Sequence, residues 1–149
     1  MRHAVDALSS GGCDDVVVVL GAAVVEVPPP ARAVVADDWS VGMSASLRAG
    51  LTAVADAEYA VLHLVDTPDV GAGVVGRVLS AARATESGLA RATYGGRPGH
   101  PVVIARRHWP AVLSTLRGDA GARAFLEGRD DVLAVECDDL ASGADVDSR

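Results

Sequence analysis

The chain has 149 residues, enough for one domain that buries roughly 70% of the surface its unfolded form would expose. Half of the residues are hydrophobic and 22% are charged, and no apolar run approaches the roughly 18 residues that span a bilayer, so no membrane span is expected. A net charge of −7 argues against nucleic acid as a partner, because such binding rests on neutralising phosphates with a basic surface.

In chain order, residues 1–10 carry Ala4, Val5, Ala7 and Leu8 on a helical stripe that ends at Gly11-Gly12. This start has neither the apolar core of a secretory signal nor the character of a transit peptide, which predicts a cytoplasmic protein. Residues 15–20 form a β-branched run of the kind found in strands buried on both faces. A second short strand is predicted at 33–36, after Pro28-Pro29-Pro30, and a helix at 44–55. Residues 60–65 read as a third strand ending at Asp66, 72–84 as a helix, and 89–94 and 102–105 as strands. Helices at 109–116 and 120–126 and a last strand at 132–135 precede an acidic tail from about 138 to 149, expected to be solvated and poorly ordered. Alternating strands and helices predict a single α/β domain with parallel strands and helices on both faces. Cys13 and Cys137 belong to no metal-ligand spacing and read as reduced thiols.

In an open parallel sheet, ligands bind beyond the carboxyl ends of the strands, so residues that follow strands are the first candidates for chemistry. Asp66 directly follows a strand, where its carboxylate either ligates a divalent cation or caps the turn. In the segment 38–51, Gly42 and the serines Ser44 and Ser46 lead into a helix whose free N–H groups suit an anion, or they simply cap that helix. Residues 95–102 form a glycine-dense loop carrying Arg97, able to fork onto a phosphate, and His100, more often structural than basic. Gly118 ends one helix and Asp119 caps the next, which leaves Arg123 unexplained. Asp138, Asp139, Asp145 and Asp147 could supply a second metal carboxylate, or belong to the solvated tail.

Taken in order, these segments resemble the molybdenum cofactor cytidylyltransferase branch of the MobA-like NTP-transferase family. The resemblance rests on Asp38-Trp39-Ser40-Val41-Gly42-Met43-Ser44-Ala45-Ser46-Leu47, Asp66-Thr67-Pro68, Arg97-Pro98-Gly99-His100-Pro101, Gly118-Asp119-Ala120-Gly121-Ala122-Arg123 and Asp145-Val146-Asp147-Ser148. It implies a three-layer Rossmann-like fold of the nucleotide-diphospho-sugar transferase type, with a mostly parallel sheet that lacks its first strand. It also implies transfer of a nucleotidyl group from CTP to the phosphate of a molybdopterin-type acceptor, with loss of pyrophosphate. Mg²⁺ would be held by Asp66 as the catalytic carboxylate, with Asp145 or Asp147 as the second. Gly42, Met43, Ser44 and Ser46 would line the nucleotide, and Arg97, Gly99, His100, Pro101, Asp119 and Arg123 the second substrate.

Members of that family begin with a strand, a Gly-rich loop of the form Ala-Ala-Gly-x-Ser-x-Arg-Met-Gly and a lysine. All 13 basic residues here are arginine, and the first helix resembles the one that follows that loop. The expectation is therefore a domain over 1–149 incomplete at both ends, with Met1 standing inside a longer reading frame. Three alternatives stay open: a guanylyltransferase using GTP, another NTP transferase, or a noncatalytic remnant that binds a phosphorylated ligand or a protein. A homodimer covering the open sheet edge is a further expectation.

Overall fold

The computed structural model describes residues 1–21, 24–36, 42–116 and 122–144. Helix α1 (Arg2–Ser10) buries Ala4, Val5 and Ala7 and closes at Gly11, whose N–H reaches the Ala7 carbonyl at 2.9 Å. A Cβ on Gly11 would lie 2.6 Å from Val75, which is how closely the end of α1 approaches the helix at 72–84. Strands β1 (Val17–Leu20) and β2 (Arg32–Val35) pair in parallel, Val17 opposite Arg32 and Leu20 opposite Val35. Helix α2 (Met43–Ala53) follows, then β3 (Tyr59–Leu62), α3 (Ala72–Ala84), β4 (Leu89–Tyr94) and β5 (Arg97–Ala105). A turn of 3₁₀ helix leads into α4 (Trp109–Thr115), and α5 (Arg123–Glu127) and β6 (Leu133–Glu136) complete the order.

Among the described residues the strands fall into two sheets, β1-β2 and β3-β5-β4-β6. In the larger one β5 runs antiparallel to both β3 and β4, whereas β6 is parallel to β4. Hence β3, β4 and β6 share one direction and bring their carboxyl ends to one rim, where β5 begins. The expected α/β architecture is present, with a mixed sheet because the reversed β5 sits inside it.

Central β5 explains its own sequence: Val102, Val103 and Ile104 are all buried because helices cover both faces. On one face Leu51 of α2, Trp109 and Val112 of α4 and Phe125 of α5 pack on Ala60, Leu89, Val102 and Ile104. Trp109 also donates its indole N–H to the Ile104 carbonyl at 3.0 Å. On the other face Val74, Val78 and Leu79 of α3 pack on Ala90, Ala92, Val103 and Cys137. Helix α2 bridges the two sheets, because Gly50 lies against Val19 of β1 while Leu51 joins the cluster containing Ala60 of β3.

Two expectations change here. The glycine-dense loop at 95–102 is a two-residue turn followed by strand: Gly95 (φ +60°) and Gly96 (φ +81°) supply the paired positive φ of a tight hairpin, and β5 starts at Arg97. Pro101, which lacks an N–H for the ladder, falls where the β4–β5 register slips between Arg91 and Thr93. The acidic tail is not a featureless appendage either. Residues 137–144 are laid against the rim: the Leu140 and Ala141 N–H groups bond the Cys137 carbonyl at 2.9 and 3.1 Å, and Asp139 forms a two-pronged ion pair with Arg77. Both cysteines are free thiols, as expected.

Candidate active site

The carboxyl rim of β3, β4 and β6 gathers several of the predicted residues. After β3 the chain turns through Asp66, which is exposed, and Thr67, which is buried, before α3 begins. The Thr67 carbonyl accepts from the Val70 N–H at 3.2 Å and closes this turn. His3 of α1 bonds the Val70 carbonyl through Nε2 at 3.0 Å, tying α1 to the same turn. The strand expected to run to 65 ends at Leu62, so Asp66 lies in the turn four residues beyond β3, exposed to solvent, where a hard cation could reach it.

Next to it stands a constellation that the sequence did not single out. Asp69 accepts two hydrogen bonds from Ser142, one from its N–H and one from its hydroxyl, both at 2.6 Å. The hydroxyl of Ser142 in turn accepts from the Ala144 N–H at 3.2 Å. These bonds, the side-chain one first, hold the Asp69 carboxyl below the usual carboxylate range. Only the short spacing Asp66-Thr67-Pro68-Asp69 hinted at it; the partner lies 73 residues away.

At the other side of the rim, Glu136 ends β6 and accepts from the Thr93 hydroxyl at 2.6 Å and the Gly96 N–H at 3.1 Å. Those bonds, Thr93 first, lower its pKa and lock the β4–β5 hairpin to β6. An open recess of about 500 Å³ lies between Tyr94, Gly95 and Arg97 and the Asp138 to Ser142 segment. Arg97 is exposed at its edge, so a forked cation faces two acidic residues, one of which is already paired with Arg77. Gly99, His100 and Pro101 lie in β5 behind it, where the Arg91 guanidinium bonds the Gly99 carbonyl at 3.1 and 3.3 Å and the Tyr94 hydroxyl donates to the His100 carbonyl at 2.6 Å. Burial pushes the Tyr94 phenol up to about 12, keeping it a donor. Buried Pro101 is wall rather than contact.

At the start of α2, Gly42 is the N-cap (φ +119°), and no side chain caps the helix. The capping reading of Ser44 and Ser46 is therefore replaced: the Ser44 hydroxyl is buried with no hydrogen-bond partner among the described residues, and Met43 is half exposed. Of the first-turn N–H groups of this 11-residue helix, that of Ala45 bonds the Gly42 carbonyl at 3.1 Å, and among the described residues no side chain caps the helix start. Arg123 opens α5 with its side chain exposed, 3.8 Å from Glu127, and α5 packs through Phe125 and Leu126 into the α2/α4 face. Asp119, Asp145 and Asp147 lie outside the described residues.

No group of three or more His, Cys, Asp or Glu side chains among the described residues is placed to hold a metal. One exposed carboxylate at the rim nevertheless suits Mg²⁺, which commonly takes one or two protein carboxylates and completes its shell with water and phosphate oxygens.

Comparison with known proteins bears on family and fold. Residues 1–133 match the MobA-like NTP transferase domain. The chain is 38% identical over 161 aligned positions to the nicotine blue oxidoreductase of Paenarthrobacter nicotinovorans, covering 99% of this chain and 78% of that protein. Among solved structures, a homologue of Mycobacterium tuberculosis Rv0371c from Mycobacterium sp. strain JC1 is 31% identical, with a TM-score of 0.74 over 90% of this chain and 69% of that one. The Rv0371c complex with manganese from M. tuberculosis H37Rv is 26% identical, with a TM-score of 0.75 over 91% and 74%.

Proposed function

Because the chain belongs to the MobA-like NTP transferase domain family, we propose that it transfers a nucleotidyl group from CTP to the phosphate of a molybdopterin-type acceptor, releasing pyrophosphate. The observation that carries this reading is the family match over residues 1–133, and beside it Arg97 and the 138–142 segment line one recess at the carboxyl rim. In this reading Asp66 binds Mg²⁺ together with Asp145 or Asp147. The cation would neutralise charge on the phosphates, and the protein would supply mainly alignment. Gly42, Met43, Ser44 and Ser46 border the nucleotide at the uncapped start of α2. Arg97, Gly99, His100, Asp119 and Arg123 serve the acceptor side, with buried Pro101 as wall behind them. Manganese in the related Rv0371c complex supports a divalent ion here. No helix among the described residues is long and apolar enough to cross a membrane, in keeping with a cytoplasmic enzyme. Among the described residues the outer edges of β1 and β3 have no strand partner, which supports a homodimer that covers them.

Calorimetric titration with CTP and with GTP in the presence of Mg²⁺, followed by assay of pyrophosphate release with a molybdopterin-type acceptor, tests this reading. Saturable, CTP-preferring binding and turnover lost by about 100-fold or more in Asp66→Ala are expected, the scale of removing a preorganised electrostatic group. Preference for GTP would make the protein a guanylyltransferase. Binding of neither nucleotide would overturn the enzyme reading in favour of a noncatalytic binder.

The 38% identity to nicotine blue oxidoreductase, spread over 99% of the chain, favours a second reading: reduction of a pigment of the nicotine blue type. Nicotine blue supplied with a nicotinamide hydride donor distinguishes it, since bleaching of the dye without pyrophosphate release belongs to this reading alone.

A further inference from the structure

Strand β4 is buried almost throughout: Leu89, Ala90, Ala92, Thr93 and Tyr94 are closed off from solvent, and the one break in the row is Arg91. Ala90, Ala92 and Tyr94 pack on the α3 face and Leu89 on the α2/α4/α5 face, so strand alternation places Arg91 and Thr93 on the latter. Helix cover ends there. Leu89 lies under the cluster that includes Trp109 and Phe125, whereas Ala134 and Glu136 of β6, the register partners of Arg91 and Thr93, are exposed. Among the described residues the carboxyl half of this face is therefore an open strip of sheet with a half-buried guanidinium in its floor.

Arg91 forms no ion pair with a carboxylate among the described residues. Glu136, one strand over and nearer the rim, is committed to the Thr93 hydroxyl and the Gly96 N–H. The Nε–H and one Nη2–H of Arg91 both go to the Gly99 carbonyl, at 3.3 and 3.1 Å, which leaves three of the guanidinium N–H groups without an acceptor among the described residues. Burial with no opposite charge beside it pushes the Arg91 pKa down, the mark of a cation that its surroundings destabilise. An aliphatic side chain would fill this place in the strand at no such cost, and an anion brought by a ligand offsets it. A phosphate monoester dianion suits the donors left over, since its three terminal oxygens can meet them in the forked geometry that guanidinium and phosphate share.

We propose that Arg91 forms a phosphate subsite on the open strip beside β6 and takes the phosphate of the second substrate, which makes it a specificity-determining residue. In the identity of its ligand the inference rests on the nucleotidyl-transfer reading. Arg97 stands exposed on the hairpin edge, whereas Arg91 is held by two bonds to Gly99 and meets its ligand preorganised.

The test uses inorganic phosphate as probe on the full chain at constant ionic strength. Its affinity is read from the phosphorus NMR line width, and its place from the Arg91 Nε–H resonance, assigned through its loss in Arg91→Lys. A saturable shift of that resonance is expected. Arg91→Gln, whose amide can still donate to the Gly99 carbonyl, should weaken phosphate binding about tenfold or more, the scale of losing one hydrogen bond to a charged group. Arg91→Lys should fall in between, because it keeps the charge and loses the fork. Arg91→Leu should lose binding yet melt at or above the wild-type temperature, since it removes a half-buried charge. An arginine with only a structural role would show the reverse, a lowered melting temperature with phosphate binding unchanged, and that result sinks the subsite. In the transfer reaction, Arg91→Gln should raise the KM for the acceptor about tenfold while the Kd for CTP stays within about twofold of wild type. If phosphate leaves the Arg91 resonance in place, or Arg91→Gln binds phosphate within about twofold of wild type, the subsite is wrong whatever CTP does. Acetate moving the resonance as strongly as phosphate would overturn the assignment to a phosphate. If phosphate binds through Arg91 and CTP does not bind at all, the nucleotidyl-transfer reading fails and the subsite stands.

Discussion

His63, three residues before Asp66, has both ring nitrogens buried without a hydrogen-bond partner among the described residues. Burial first, then the neighbouring His100 and His3, hold its pKa down at about 4. An ordinary histidine in the unfolded chain titrates near 6.5, so the unfolded state binds the extra proton first as pH falls. Stability linked to His63 is fully present above about pH 6.5 and is lost as pH drops toward 4. Because the residue is only partly enclosed, the loss expected over that window is about 1–2 kcal/mol, below what the full shift would imply. His63→Leu should flatten this dependence and, by removing unpaired buried nitrogens, stabilise the protein at pH 7 by about 1 kcal/mol. Urea denaturation of both proteins at pH 7, 5.5 and 4.5 reads the two effects; parallel pH profiles would refute the assignment. None of this was legible beforehand, since His63 sits in an apolar run and its isolation depends on α1 and β5 closing over it.

Legibility at the scale of elements follows the range of the forces involved. Helix α3 falls at 72–84 as its period predicts, because its stripe of Val74, Val75, Val78 and Leu79 is written in consecutive turns. The start of β5 was hidden, because Pro98 and Pro101 count against a strand and only the partner β4 shows that the ladder tolerates them. Asp66 could be singled out from the apolar run before it, although the strand itself ends at Leu62, whereas Asp69 and Asp139 take their partners Ser142 and Arg77 from 73 and 62 residues away. An acidic composition therefore reads as a solvated tail even where long-range pairing fastens it down. The conformation of the 137–144 strap predicts its own weak point. Gly143→Ala forces a side chain into the left-handed region and against Tyr94, and should cost about 1–3 kcal/mol. Exchange of the 137–144 amides should rise while that of buried β5 stays slow. A stability change under about 0.5 kcal/mol would mean the strap is not seated as described.

For the molecule as a whole, the division into two sheets sets the open question of its surface. In β1 the carbonyls of Val16 and Leu20 accept from β2, so even-numbered residues point their backbone groups that way, and Val17 and Val19 point theirs outward. Just before β3, the Glu58 carbonyl accepts from the N–H of Arg106, which follows β5, so Tyr59 and Val61 are the ones whose N–H and C=O groups face away from β5. Backbone rows with no partner among the described residues, with half-exposed Val25 and Val35 nearby, favour pairing with another strand. If a second copy provides it, sedimentation equilibrium should show a concentration-dependent dimer. Val19→Pro removes one outward N–H without touching the β1–β2 ladder, and Val61→Pro does the same for β3. Either variant that keeps the wild-type circular dichroism should shift the equilibrium toward monomer. The shift must appear in the variant whose edge forms the contact, because a proline on an edge not used leaves association untouched. Dimerisation indifferent to both prolines would place the interface elsewhere and leave these edges to another strand.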